Sequence, residues 1–160
     1  TFIYAFLYGA GAAKIGAIVG GGEREGKKLI DSFLANTPAL KTLRQKVDRL
    51  AKRGWLPSLD GRRLMVRSAH AALNVLLQGA GAVVMKQALV LLHSKLNHGI
   101  IDASFVANVH DEWQIETNEK LAESVGQAGV QAIQEAGLTL GLRCPLDGEY
   151  KIGTNWATTH

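Results

Sequence analysis

Two adjacent carboxylates, Asp111 and Glu112, follow His110 in a segment whose apolar and polar residues alternate on both sides. The flanking runs 105–109 and 113–117 have the period of half-buried strands, so the pattern predicts a β-hairpin with His-Asp-Glu at its tip. Adjacent carboxylates repel each other unless a cation lies between them. Oxygen ligands of this kind suit Mg²⁺, and phosphoryl-transfer sites combine one or two carboxylates with substrate phosphates. Taken by itself, such a triplet is more often an ordinary solvated acidic turn.

A row of polar side chains marks a second candidate surface, on a long apolar helix predicted from residue 68 or 69 to about residue 97. Spacings of three, four and four residues place the row on one helical face: Arg67, His70, Asn74 and Gln78. One interpretation is the plain solvent edge of the helix. The functional interpretation is a set of hydrogen-bonding groups facing the minor groove of a nucleic-acid duplex, where acceptors occur on every base pair.

The first eleven residues are rich in aromatic side chains. Tyr4 and Tyr8 are four residues apart on one helical face, and Phe2 and Phe6 occupy another. We expect the two phenylalanines to pack in a core. The tyrosines have rings that can stack on a base or a sugar, and Gly9 would let a template strand approach the backbone closely.

The elements that position these residues predict an α+β protein. A hairpin turn is expected at Asp60-Gly61, and a last strand with a tail over 146–156. Besides the long helix, helical patterns cover five segments: 2–8, 12–19, 23–35, 39–52 and 119–136.

Composition frames these predictions. The chain has 160 residues, is 47% hydrophobic and carries a formal net charge of +4, which permits a nucleic-acid partner. The longest apolar region, 71–92, is interrupted by polar side chains at Asn74, Gln78, Lys86 and Gln87. We therefore expect a buried helix and no membrane span.

Three segments together resemble the second half of family A DNA polymerases, most closely the T7-type bacteriophage enzymes. Residues 2–9 are similar to the C-terminal part of the fingers helix called motif B. Residues 74–79 are similar to the palm helix that contacts the primer-template minor groove, and residues 109–112 to palm motif C. The ending 153–157, together with the terminal His160, resembles that of the phage subgroup.

The resemblance divides the chain into a later part of the fingers subdomain, residues 1–54, and a later part of the palm subdomain, residues 55–160. The activity it implies is template-directed nucleotidyl transfer. A primer 3′-hydroxyl attacks the α-phosphate of a dNTP, pyrophosphate leaves, and two Mg²⁺ ions assist. A phage-encoded protein would act in the cytoplasm of the host cell.

The resemblance also implies roles for single residues. Asp111 matches the metal ligand of motif C, and Glu112 is its acidic neighbour with a smaller catalytic role. His110 would lie near the primer terminus and, with Arg67, Asn74 and Gln78, contact the primer-template minor groove. Tyr4 matches the position that packs on the nucleotide sugar. Tyr8 matches the position beside the templating base, followed by Gly9. In the family, a Tyr at the position of Tyr4 accompanies ready use of dideoxynucleotides.

Several parts of the family pattern lie outside this sequence. Motif B normally begins with an Arg and a Lys, the Lys directly before the position of Thr1, and motif A supplies another metal-binding aspartate. We therefore expect the chain to be inactive alone and to require an N-terminal polymerase part. That part would be joined to the chain by intein splicing at Thr1 or encoded by a separate gene. The remaining alternative is that it has been removed by truncation. The expected partners are primer-template DNA, dNTP and this N-terminal part, and no membrane.

Two other functions compete with this interpretation. A non-catalytic nucleic-acid-binding module would have no need to retain Asp111. A phosphoryl-transfer enzyme of another family would use Asp111 and Glu112 for Mg²⁺, but would not account for the helix that carries Tyr4 and Tyr8.

Overall fold

The computed structural model describes residues 1–98 and 102–159, which form helices and two antiparallel β-hairpins. The α+β prediction is confirmed. The chain divides into two compact units, residues 1–80 (the first unit) and the residues from Gly81 onward (the second unit). The long helix contributes residues to both units. The predicted fingers–palm boundary at residues 54 and 55 is a functional division and remains a prediction.

The first unit begins with four helices: α1 (Phe2–Leu7), α2 (Ala12–Ile18), α3 (Glu23–Asn36) and α4 (Pro38–Ala51). The acidic side chains Glu23 and Glu25 occupy the first turn of α3, where the helix dipole stabilises negative charge. Pro38 occupies the first position of α4, where its missing N–H costs no hydrogen bond. A short hairpin follows, with β1 (Trp55–Pro57) paired to β2 (Arg63–Met65). A 3₁₀ turn (Ala69–Ala71) then leads into helix α5 (Ala72–His98).

The core of the first unit forms around the aromatic residues of α1. Phe6 is only 3% exposed, and Phe2 and Phe6 both meet the ring of Phe33 edge-on, with centroids 5.2 and 5.4 Å away. Such edge-to-face pairs add to the area that the rings bury. Ile15 and Val47 contribute to this core from α2 and α4, and Leu56, Ala72 and Leu73 from β1 and α5. The expected core role of the two phenylalanines is confirmed.

The backbones of helices α2 and α3 are in direct contact at Gly26. A Cβ atom at Gly26 would lie 2.0 Å from the Ala12 carbonyl oxygen and 2.6 Å from the Gly16 nitrogen. No atom larger than hydrogen fits there, so glycine is required by contact and not by backbone conformation. This contact fixes the separation between α2 and α3.

The second unit contains the hairpin of β3 (Ala103–Val109) and β4 (Glu112–Thr117), helix α6 (Ala122–Thr139) and the short helix α7 (Trp156–Thr159). A 3₁₀ turn (Glu119–Leu121) leads into α6. Its core is made where α5 meets α6, at Leu92, Leu96, Val125 and Ala132, with side chains of the hairpin packed against it.

The predicted last strand over 146–156 is wrong. Residues 142–155 form neither helix nor strand, and helix α7 begins at Trp156. Among the described residues no strand pairs with this segment. The segment packs instead on α6, where the Tyr150 ring occupies the space that a Cβ at Gly126 would fill. The Tyr150 hydroxyl donates a hydrogen bond to Glu123, which raises the pKa of Tyr150 above its ordinary value.

Helix α5 is less buried than its apolar sequence predicted. The segment Ala69–Asn97 is long and apolar enough to cross a membrane by length and composition alone, with a mean hydropathy of 1.7, and 22% of its most apolar window is buried. Core helices of water-soluble proteins pass the same test. Lys95 pairs with Glu135 of α6 at 2.8 Å, so within the second unit an ion pair joins α5 to α6 in addition to their apolar contact.

Candidate active site

The turn between β3 and β4 contains two residues, His110 and Asp111. Val109 pairs with Glu112 across the hairpin, so Glu112 is the first residue of β4 and the predicted three-residue His-Asp-Glu tip is wrong by one residue. His110 has a φ of 51°, and it is the one non-glycine residue with positive φ in the described chain. Two-residue hairpin turns require this left-handed backbone, which Gly and Asn adopt more easily than His.

The two carboxylates have different surroundings. Asp111 is exposed, and no hydrogen bond or ion pair within the described residues involves its side chain. Glu112 is half-buried, and its Oε1 accepts hydrogen bonds from Gln114 Nε2 and from Trp156 Nε1, the latter at 3.1 Å. Asp111 is therefore open to a ligand, whereas Glu112 is held by the protein.

The chemistry of these donors fits Mg²⁺, which takes carboxylate oxygens and retains several waters. Two carboxylates, however, are too few ligands to form a complete Mg²⁺ site. Within residues 1–98 and 102–159, no group of three or more His, Cys, Asp or Glu side chains lies close enough to hold a metal ion. Asp111 and Glu112 by themselves therefore do not form a metal site among the described residues.

The tyrosines of α1 lie on the face opposite the core, as predicted. Tyr4 is 72% exposed and Tyr8 59% exposed, and together with Thr1 and Ala5 they line a shallow open hollow. Large apolar rings so exposed on a helix that buries Phe6 on its other side are available for stacking.

A hydrogen bond joins Tyr8 to the long helix. Gln78 Nε2 donates to the Tyr8 hydroxyl at 3.0 Å, although 70 residues separate the two in the sequence. Both side chains are exposed and belong to the first unit. The sequence singled out each residue on its own helix, but its spacing gave no sign of this contact.

Gly9 is required by the protein itself. It has a φ of +82°, and a Cβ there would lie 2.4 Å from the carbonyl oxygen of His70. The sequence predicted a close approach of a template strand to this glycine. In the structure the close neighbour is the backbone of the 3₁₀ turn before α5, so the junction of α1 with that turn is sufficient reason for a glycine.

The predicted polar row is only partly helical. Asn74 and Gln78 lie one turn apart in α5, but His70 lies in the 3₁₀ turn, and Arg67 precedes it at a bend. The placement of Arg67 on the helical face is therefore wrong. Ser68 has extended backbone angles, φ −148° and ψ 135°, which interrupt the helical geometry. All four residues belong to the first unit, whereas His110, Asp111 and Glu112 belong to the second.

Three residues that the sequence did not single out as site residues contact this part of the second unit: Gln114, Trp156 and Thr159. Thr159 Oγ1 donates to Gln114 Oε1 at 3.1 Å. The available signal was the resemblance of the ending 153–157 to the phage subgroup, which did not indicate a contact with the hairpin. His160, the last residue of that ending, lies outside the described residues.

Comparison with known proteins gives a consistent result. The sequence model of the protein family "DNA polymerase family A" matches residues 1–158 of this chain. The DNA-directed DNA polymerase of Escherichia phage T7 is 42% identical over an aligned length of 182 residues, which covers all of this chain and 26% of the relative. The corresponding enzymes of Enterobacteria phage T3 and Escherichia phage Phieco32 are 41% and 40% identical and are covered to 26% and 27%.

A solved structure agrees on the fold. It is the POL domain of Pol1 from M. smegmatis in complex with DNA primer-template and dNTP, with a TM-score of 0.73 and 21% identity over 84% of this chain and 26% of that one. The chain thus spans about a quarter of the length of the curated relatives it matches. The resemblance to T7-type phage enzymes is confirmed by these matches, and the chain belongs to DNA polymerase family A.

Proposed function

We propose that this chain is the C-terminal part of a template-directed DNA polymerase that transfers nucleotides from dNTPs to a primer 3′-hydroxyl. The observation that carries the proposal is the exposed Asp111 at the hairpin tip, in a chain that the family model matches over residues 1–158. An exposed carboxylate next to a second, immobilised one supplies the oxygen donors that phosphoryl transfer requires.

In the reaction, the primer O3′ forms a bond to the α-phosphorus of the dNTP. The bond from that phosphorus to the bridging oxygen breaks, pyrophosphate leaves, and the hydroxyl proton passes to solvent. Mg²⁺, when bound, lowers the pKa of the attacking hydroxyl and neutralises charge on the departing oxygens. Asp111 would hold this ion, and Glu112 would stand beside it with a smaller contribution.

The first unit would bind the substrates. Tyr4 and Tyr8 project from the exposed face of α1, so Tyr4 would pack on the sugar of the incoming nucleotide and Tyr8 beside the templating base. Asn74 and Gln78 of α5 would donate hydrogen bonds to acceptors in the primer-template minor groove. Because every base pair carries such acceptors, these hydrogen bonds would respond to the geometry of the base pair and not to its sequence. Arg67 and His110 would contact the same groove near the primer end.

An N-terminal polymerase part would complete the site. The described residues gather no three metal-binding side chains, and a dNTP with its metal ions needs further carboxylate and basic groups. We propose that this part is supplied covalently or as a separate chain. The phage relatives support a phage-encoded protein that acts in the cytoplasm of the host cell.

The test is single-turnover incorporation of one dNTP by this chain combined with its N-terminal part. Asp111→Asn should reduce the rate by at least about 10³-fold, roughly 4 kcal/mol of barrier, while primer-template affinity stays nearly unchanged. Glu112→Gln should cost less. Glu116→Gln is the matched control, since Glu116 is an exposed carboxylate of the same strand but lies at the end away from the hairpin tip.

A rate for Asp111→Asn within about tenfold of the original, roughly 1.4 kcal/mol, would remove Asp111 from catalysis. A larger loss for Glu112→Gln than for Asp111→Asn would mean that the two carboxylates are assigned in the wrong order. DNA binding by the combined protein with no incorporation at all would favour the non-catalytic nucleic-acid-binding module.

A further inference from the structure

The short helix α7 is attached to the same strand that begins with Glu112. α7 comprises only Trp156–Thr159, and a single helical turn has no stability of its own in water. Its position therefore depends on the contacts it makes with its surroundings. Two of these contacts are side-chain hydrogen bonds to β4.

The hydrogen bonds form a connected chain. Thr159 Oγ1 donates to Gln114 Oε1 at 3.1 Å, Gln114 Nε2 donates to Glu112 Oε1, and Trp156 Nε1 donates to the same Glu112 oxygen at 3.1 Å. Glu112 and Gln114 are two residues apart in β4, so their side chains leave the same face of the hairpin. Both ends of α7 thus fasten to one face of one strand.

This arrangement restrains the Glu112 carboxylate in particular. Hydrogen bonds from N–H donors to an ionised carboxylate are stronger than neutral ones, and two donors on one oxygen select a single side-chain orientation. The indole of Trp156 is a rigid donor with no acceptor function, so it cannot exchange roles with the carboxylate. Glu112 directly follows Asp111, and its orientation therefore affects the charge around the exposed aspartate.

We propose that α7 positions the Glu112 carboxylate beside Asp111 and that Trp156 is a positioning residue for the metal-binding end of the hairpin. This inference rests on the proposed function, because it assigns α7 a part in that same site. Trp156 acts through Glu112, and Thr159 acts one step further away through Gln114.

The contact itself is tested by NMR, independently of activity. In the combined polymerase, ¹⁵N-tryptophan labelling of this chain alone gives three indole N–H signals, since the chain contains three Trp residues. The signal lost in Trp156→Phe identifies Trp156. In Glu112→Gln this signal should shift and its proton should exchange with solvent several-fold faster, because the charged acceptor is gone. In the control Glu116→Gln it should stay in place.

The functional consequence is tested by the Mg²⁺ dependence of single-turnover incorporation. Residues that orient metal ligands typically change metal affinity 10–100-fold when removed. Because Glu112 is the lesser of the two carboxylates, we expect Trp156→Phe to raise the half-saturating Mg²⁺ concentration by about tenfold, at the lower end of that range. Primer-template affinity should not change. In a Glu112→Gln background, Trp156→Phe should produce no further rise, since the group that it positions has already been altered.

The position of Thr159 provides a graded comparison. Thr159→Val removes the hydroxyl at nearly constant volume and should raise the half-saturating Mg²⁺ concentration by less than Trp156→Phe. Thr159→Ser retains the hydroxyl and should restore the original value. A purely structural role of α7 would instead lower the thermal stability of Trp156→Phe and Thr159→Val and leave the Mg²⁺ dependence unchanged.

The proposal is overturned if the Trp156 indole signal does not respond to Glu112→Gln. It is also overturned if Trp156→Phe has the same effect on Mg²⁺ dependence with and without Glu112→Gln. Either result can occur while Asp111→Asn still abolishes incorporation, in which case the proposed function stands and only the role of α7 fails. If Asp111→Asn has no effect, the proposed function fails first.

Discussion

At the tip of the second hairpin, a histidine adopts a backbone conformation that glycine adopts at no steric cost. The φ of 51° at His110 crowds its Cβ against its own carbonyl group, at roughly 1 kcal/mol or more for an L-residue. A turn selected for stability alone would place Gly or Asn there. The imidazole thus occupies a position where it weakens the turn, next to a carboxylate that makes no hydrogen bond or ion pair within residues 1–98 and 102–159. This combination is typical of a functional site.

At Tyr4 the decisive atom is the phenol oxygen. Tyr4→Phe removes that oxygen and keeps the ring, and because the side chain is 72% exposed the fold should be unaffected. If Tyr4 packs on the sugar of the incoming nucleotide, its hydroxyl takes the place of a missing 3′-hydroxyl. The Tyr4→Phe chain, assembled with its N-terminal polymerase part, should then discriminate strongly against dideoxynucleotides while using dNTPs almost normally.

The measurement is the ratio of ddNTP to dNTP incorporation in direct competition. Tyr150→Phe is a suitable control, because it removes a phenol oxygen that bonds to Glu123 in the second unit. An unchanged ratio for Tyr4→Phe would show that Tyr4 does not face the sugar.

The bond between Gln78 and Tyr8 couples two proposed substrate contacts. Gln78→Ala should slow extension on all template sequences alike and change the ratio of mismatched to matched primer extension, since minor-groove acceptors carry little sequence information. Tyr8→Phe removes the acceptor that holds the Gln78 amide. Its effect on mismatch extension should be about two- to tenfold, the value of one hydrogen bond.

Pre-steady-state extension of matched and mismatched primers measures this coupling. Tyr8→Phe should add little to the mismatch ratio once Gln78→Ala is present, because the two changes remove the same interaction. Gln131→Ala, an exposed amide of α6, serves as the control. A defect that depends on template sequence would contradict minor-groove readout by Gln78.

At the scale of elements, α2 and α3 pack backbone against backbone, and Phe33 of α3 packs against the helix that carries the tyrosines. Gly26→Ala would force a methyl group to within 2.0 Å of the Ala12 carbonyl oxygen, so the helices must separate. We expect a loss of about 2–3 kcal/mol of stability. Gly129→Ala in α6 is the opposite case, because among the described residues its Cβ would meet only Leu92, at an ordinary 3.9 Å. It should gain up to about 1 kcal/mol of helix propensity.

Thermal unfolding followed by circular dichroism distinguishes these cases, since 1 kcal/mol shifts the midpoint of a unit of this size by about 4–8 °C. Gly26→Ala should lower the transition of the first unit, and Gly129→Ala should raise that of the second. Equal behaviour of the two variants would show that the α2–α3 contact is looser than its geometry indicates.

Sequence patterns predicted most elements because each has a local cause. Alternation identified the β3–β4 hairpin, and Asp60-Gly61 identified the first one. The failures occurred where a distant neighbour decides. Residues 146–156 alternate like a strand, yet no described strand pairs with them, and Leu146 and Tyr150 pack on α6 instead. Arg67 keeps helical spacing, but the extended backbone at Ser68 delays the helix.

The candidate site shows the same division between local and distant causes. Asp111, Glu112 and the exposed face of Tyr4 and Tyr8 followed from residue type and spacing. The contact of Trp156 with Glu112 joins positions 44 residues apart, and that of Gln78 with Tyr8 joins positions 70 apart. No periodicity carries information over such separations, because tertiary packing alone determines which side chains meet.

Across the whole molecule, charge is divided unevenly between the two units. Residues 1–80 contain thirteen Lys or Arg and five Asp or Glu, whereas residues 81–160 contain five and nine. The overall charge of +4 is therefore the sum of a strongly basic and a moderately acidic half. Basic groups attract phosphate backbones and release counterions on binding. We therefore expect the first unit to contribute most of the affinity for a phosphate backbone.

This division predicts the behaviour of the chain without its N-terminal part. It should bind primer-template DNA with an affinity that falls steeply with salt, by a logarithmic slope of about 0.9 for each phosphate contacted. It should incorporate no nucleotide, because Asp111 and Glu112 supply only part of a metal site. Fluorescence anisotropy over a salt series measures the first property, and primer extension before and after adding the N-terminal part measures the second. Asp111→Asn should bind DNA with the same salt dependence as the unchanged chain. Extension by the chain alone would show that the described residues already contain a complete active site, and salt-independent binding would show that the basic unit does not contact phosphates.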